Sequence, residues 1–139
     1  MATEALKYIR NVFRSGFELK DIDWTPWSEP GRIGVDHHVL WAPDEATGED
    51  SVGLLLRFPP TAHGDFHEHL GYELMLVLDG QLDHSDGVSY FKGDLVVEGP
   101  GTEHRMSSGS GCTVLAVRTR PASPRAPKKP IREVVSAAS

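Results

Sequence analysis

The sequence predicts an all-β domain, a sandwich or a barrel. Short apolar runs recur along the chain, separated by turn signals roughly every 8–12 residues. The most apolar of them, Leu74-Met75-Leu76-Val77-Leu78, has the length of a buried strand rather than of a helix. The 139 residues, 39% hydrophobic and 24% charged, suit one domain with a sizeable core.

In chain order, Leu6, Ile9 and Phe13 have helical spacing with Val12 beside them, so residues 3–14 are expected to form a short amphipathic helix. The stretch Asp21 to Arg32 holds Pro26 and Pro30, which break regular structure. Its Trp24 and Trp27 are expected to cover the barrel or a second subunit, and a homodimer is the expected assembly. Ile33 to Trp41 and Ser51 to Phe58 read as strands, with an acidic loop, Pro43 to Asp50, between them. Tyr72 to Asp79 and Gln81 to His84 flank Gly80, read as a tight reversal. Asp86-Gly87 then signals a hairpin into Val88 to Phe91. Asp94 to Glu98, Arg105 to Ser107 and Thr113 to Thr119 complete the strands. Pro121, Pro124, Pro127 and Pro130 mark an extended arm. The chain therefore divides into an N-terminal helix and arm (1–32), a barrel (33–120) and a proline-rich basic tail (121–139).

The net charge of −6 is uneven. Residues 118–139 carry six basic residues and one acidic, leaving 8 basic and 19 acidic in 1–117. An acidic body argues against a nucleic-acid-binding barrel. The basic tail has three candidate surroundings: solvent, an acidic partner, or the chain's own acidic body. No apolar run approaches the roughly 18 residues of a membrane span, and residues 1–14 lack the apolar core of a secretory signal. One cysteine, Cys112, allows no internal disulfide. A reducing, cytoplasmic setting is expected.

The chemistry lies between His63 and His104. His67 and His69 are one residue apart, so on a strand they share a face. Glu73 opens the apolar strand, where an unpaired charge would be costly. With His104 they make a mixed nitrogen and oxygen donor set that suits Fe, Mn, Ni, Cu or Zn. Four protein donors leave two positions open on an octahedral ion and none on a tetrahedral zinc. If Glu73 and His104 point inward, alternation brings Met75, Val77 and Met106 with them, with Arg57 or Tyr90 as polar anchors. An arginine such as Arg57 could also pair with Glu73. His63, four residues before His67, is a candidate outer contact to the site. His37 and His38 point to opposite faces and are expected at the surface, as is His84 at its hairpin. Cys112 reads as an idle thiol. Glu98 and Glu103 are acid or base candidates only if they face the site. No catalytic residue is assigned.

The spacing His67-x-His69-x-x-x-Glu73, six residues, Gly80, then Gly93, seven residues, Gly101, two residues, His104 resembles the two motifs of the cupin superfamily. Gly99 and Pro100 depart from the usual order at the second turn, and Ser108 stands where Asn is common. Neither change removes a ligand. The resemblance implies a cupin jelly-roll barrel and one divalent transition metal held by His67, His69, Glu73 and His104, with Fe first and Zn, Mn or Ni as alternatives. It is similar to small single-domain cupins that cleave diketones and hydroxyketones, which implies a dioxygenase acting on a small oxygen-rich substrate. Isomerase, decarboxylase and lyase reactions use the same kind of site. The run Glu73 to Gly80 also resembles the cupin domain of zinc-dependent anti-sigma factors, which implies the alternative of a metal-binding sensor.

Overall fold

The structure is a computed structural model that describes residues 6–13, 19, 22–27 and 33–124. Every pairing among its strands is antiparallel. In the larger sheet β1 (Thr25–Pro26), β2 (Asp36–Trp41) and β3 (Val52–Phe58) lead through β10 (Cys112–Arg118) to β5 (Glu73–His84) and β6 (Ser89–Phe91). Two further strands, β7 (Leu95–Glu98) and β9 (Met106–Ser107), also pair with β5. A smaller sheet has the order β11 (Ala122–Pro124), β4 (His67–His69), β8 (Glu103–His104). The result is an all-β barrel, as expected. Among the described residues no helix is long and apolar enough to cross a membrane.

β3 shows how the layers form. Leu54, Leu56 and Phe58 enter the inner core with Val35, Met75, Val77, Leu82, Met106, Val114 and Ala116. Leu55 points the other way, into an outer cluster with Leu19, Ile22 and Leu78, against which Ile9, Val12 and Trp24 pack. Three successive leucines are therefore all buried, because N-terminal residues cover the outer face of the sheet. Each contributes roughly 1.5–3 kcal/mol of burial.

The expected N-terminal helix is not found in residues 6–13. Asn11 has φ 57°, outside the right-handed helical region. Ile9 and Val12 pack on the outer cluster, while Leu6 and Phe13 remain 79% and 51% exposed. Helical spacing here marks an irregular strap that uses two apolar residues and leaves two in water. Residues 3–5 and 14 of that expectation lie outside the described residues. The two tryptophans cover the chain's own barrel: Trp24 packs on the outer cluster and Trp27 on the inner one. Beyond residue 120 the pairing continues, with Ala122, Ser123 and Pro124 opposite His69, Glu68 and His67. The rest of the basic tail, 125–139, lies outside the described residues.

Gly80 is not a reversal. β5 runs through it for 12 residues, which as a flat strand would span roughly 40 Å. Instead the strand bends and changes partners, from β7 along residues 73–76 to β6 and β9 along 81–84. The β10 register shifts here, with Val114 opposite Val77 and Thr113 opposite Asp79, so Leu78 is the extra residue of a bulge. Glu73, Met75 and Val77 are buried before it, Leu82 and His84 after it, so the inward parity switches from odd to even. Gly80 permits this at φ 80°, where a Cβ would meet the Gly111 carbonyl oxygen at 2.2 Å and Cys112 Cα at 2.8 Å. Gly80→Ala is expected to cost at least about 2 kcal/mol from backbone strain and the clash. Urea unfolding reads this directly, and an unchanged midpoint would show that the bend needs no glycine.

Candidate metal centre

β4 is the middle strand of the small sheet, between β11 and β8. His67 and His69 share its inner face, with ring centroids 5.0 Å apart. His104 lies opposite His67 across the β4–β8 pair, at 4.6 Å between rings. Glu73 enters from the start of β5. One nitrogen or oxygen from each of these four residues lies within 4.8 Å of the others. All four are buried, with at most 4% exposure. The structure therefore brings together the four donors that the spacing picked out.

Hydrogen bonds behind the rings decide which atoms face the centre. His67 Nδ1 donates to the Asp65 carbonyl at 3.1 Å. His104 Nδ1 donates to Glu98 Oε2. The Thr102 hydroxyl gives its hydrogen to the Gly99 carbonyl at 2.6 Å, so its oxygen accepts from His69 Nδ1 at 2.8 Å. Each ring thus keeps a hydrogen on Nδ1 and, when neutral, turns the lone pair of Nε2 inward. His69 Nε2 and His104 Nε2 lie 3.1 and 3.3 Å from Glu73 Oε1. His67 Nε2 is buried with no hydrogen-bond partner. Buried acceptors that face one another are costly unless a cation or a proton lies between them. A divalent metal fits this donor set.

Without a metal, protons take that place in part: His104 carries a charge and donates to Glu73. Burial pushes the Glu73 carboxyl up, but the Arg118 guanidinium and the bonds from His104 and His69 hold it well below the usual carboxylate range. Arg118 Nε bonds Glu73 Oε2, and the two residues are direct partners across β10 and β5. Oε1 is left for the centre. Burial, with the His104 and Arg118 charges, lowers His67 despite Asp65, which keeps its lone pair available. Burial opposes a charge on His104, yet Glu73 and Glu98 on either side raise it to about 9. Burial likewise works against the Glu98 carboxylate, but its bonds from His104 and His84 bring it to about 2.

Residues 14–122 match the ChrR cupin-like domain family. The chain belongs to that family. Among solved structures, this cupin is similar to ChrR of Rhodobacter sphaeroides in its complex with SigE, at 27% identity over 73% of this chain, with a TM-score of 0.57. It spans 50% of that chain. An acetylacetone dioxygenase from Acinetobacter johnsonii matches 99% of this chain and 88% of its own, at 14% identity and a TM-score of 0.69. The polyketide cyclase RemF from Streptomyces resistomycificus matches 85% of this chain and 83% of its own, at 23% identity and a TM-score of 0.60. The last two likenesses show the fold alone. A comparison with curated proteins found no match.

The cupin's other candidates divide. Met75, Val77 and Met106 are buried in the inner core, and Tyr90 packs against it. Arg57 does not join them. It follows Leu56 on β3, so it points outward, where it pairs with Asp36 at 2.7 Å and lies over Trp24. The arginine that holds Glu73 is Arg118, which shares the parity of Val114 and Ala116 on β10. That alternation was the available signal. His63 is not among the four converging donors: its ring bonds the Gly64 carbonyl, and its backbone bridges Ile33 and Ser107. His37 and His38 hold the 23–27 segment, through the Thr25 and Asp23 carbonyls.

His84 is not at the surface. It is 7% exposed and bonds Glu98 at 2.9 Å, because the Leu78 bulge turns its half of β5 inward. Glu98 does face the site, through His104. Glu103 is half-buried opposite Glu68. Cys112 is buried in the core, and burial pushes its thiol up to about 12, which leaves it unreactive near neutral pH.

Proposed function

We propose that this cupin is a metal-dependent enzyme, an oxygenase acting on a small oxygen-rich molecule bound beside the metal. The observation that carries the metal is the convergence of three imidazole Nε2 atoms and Glu73 Oε1, with His67 Nε2 unsatisfied. Iron is the first choice, and Zn, Mn or Ni match the same donors. A bound iron would supply Lewis acidity and electron exchange with O₂. The chain's own residues do the rest. Asp65, Thr102 and Glu98 orient the rings, and Arg118 holds Glu73 so that one oxygen faces inward. Met75, Val77 and Met106 supply an apolar wall that limits water, and Tyr90 offers a phenol. The near whole-chain likeness to an acetylacetone dioxygenase supports small diketones as the first substrates to try.

Metal analysis of purified protein should find about one divalent ion per chain. His67→Ala with His69→Ala should lose it while circular dichroism stays β-rich. Full occupancy in that double variant would remove the assignment. Iron-loaded protein should then consume O₂ when small diketones or hydroxyketones are added.

The family match and the ChrR likeness favour a second reading, a metal-binding sensor. One bound metal with no substrate-dependent O₂ uptake across the panel would favour that reading over the enzyme.

A further inference from the structure

We propose that His84 is a positioning residue for the metal centre: through Glu98 it holds His104 in the tautomer and orientation that ligation needs. This rests on the metal reading of His67, His69, Glu73 and His104.

The direction of the chain of bonds follows from one backbone amide. The Asp86 N–H donates to His84 Nδ1 at 3.0 Å. A backbone N–H can only donate, so Nδ1 accepts and the ring hydrogen sits on Nε2. The Asp86 carboxylate also lies 3.0 Å from Nδ1, but a second proton there would leave Nε2 a donor all the same. Nε2–H donates to Glu98 Oε1 at 2.9 Å. That fixes the carboxylate, whose Oε2 accepts the Nδ1–H of His104. With a hydrogen committed to Nδ1, it is Nε2 whose lone pair His104 can give to a metal. The arrangement is shielded from water: His84 and His104 are 7% and 1% exposed, and their rings lie 5.2 Å apart.

His84, Glu98 and His104 also place donor atoms within 4.8 Å of one another, as a second metal site would. The pairing argues against that use. Both Glu98 oxygens accept a ring N–H, and His84 Nδ1 accepts the Asp86 amide. Every donor in this trio faces an acceptor. In the four-residue cluster, by contrast, His67 Nε2 is buried with no partner. One group leaves a buried lone pair for a cation and the other leaves none. β5 serves both sides of His104, with Glu73 at its start facing Nε2 and His84 at its end acting through Nδ1.

Cobalt(II) tests this on the full-length protein, because it reports affinity by chelator competition and ligand geometry by its visible bands. The parent should bind one ion per chain. His84→Leu keeps bulk but removes the donor. It should still bind one ion, about 10–100-fold more weakly, with shifted bands. His84→Gln returns an N–H near the position of Nε2 and should recover most of the affinity and the parental spectrum. Should His84→Leu fail to fold, Glu98→Gln makes the same test, since the two ring N–H groups meet different carboxylate oxygens and the amide replaces one of them with an NH2 donor. Parental affinity and spectrum in His84→Leu, or in Glu98→Gln where that variant stands in, would overturn the proposal. So would a parent that binds two ions and a His84→Leu variant that binds one, because His84 would then be a ligand. A parent that binds no cobalt fails the metal reading itself.

Discussion

Replacing Arg118 with methionine is expected to destabilise the metal-stripped protein by about 3–5 kcal/mol. Glu73 is 1% exposed, and Arg118 is its partner both in strand register and through its Nε bond. Methionine keeps an apolar stem for Trp27, which lies beneath the guanidinium. It leaves the carboxylate buried without its permanent cation. A metal at Glu73 Oε1 would replace part of that charge, so the loss should be smaller in metal-loaded protein. Guanidinium unfolding with and without a chelator measures both. A loss under about 1 kcal/mol in the stripped protein would mean that the imidazoles alone neutralise Glu73.

Glu73→Gln is expected to weaken metal binding at least about tenfold and to abolish most turnover of an enzyme, with the fold retained. The amide keeps the size and an oxygen for Arg118, so packing changes little. What is lost is the one anionic donor among neutral imidazoles. Glu73 lowers the net charge of the centre, which favours an oxidised metal. Comparing parent and variant at equal metal loading separates affinity from chemistry. If both match, Glu73 is no ligand and the centre has three histidines.

Much of the site was legible because its signals are local. His67 and His69 are two apart on one strand, and Glu73 and His104 stand at fixed distances from glycines that turn the chain. The positions of most strands followed from turn residues and apolar runs in the same way. The parts that were hidden depend on parity and on pairing. The alternation that places Glu73, Met75 and Val77 inward would put His84 outside. Only the extra residue at Leu78 turns it in. The β7 run Leu95-Val96-Val97 is apolar on both faces, so nothing local told that Glu98 faces inward with Val96. The partner of Glu73 required the β10 register, which puts Arg118 opposite it across 45 residues of sequence. At the N-terminus, helical spacing was present without a helix, because the sheet buries only Ile9 and Val12.

The four donors also tie the two sheets together. β4 and β8 belong to the small sheet and β5 to the large one, so neither sheet alone holds the centre. Closing the barrel completes the donor set, and it is slow work for a topology built on distant pairings. The small sheet alone carries His67, His69 and His104, and closure adds Glu73. An ion would stabilise the finished fold by mass action, adding about 2.7 kcal/mol at a hundred times its dissociation constant. Metal supply would then govern how long a folded molecule lasts.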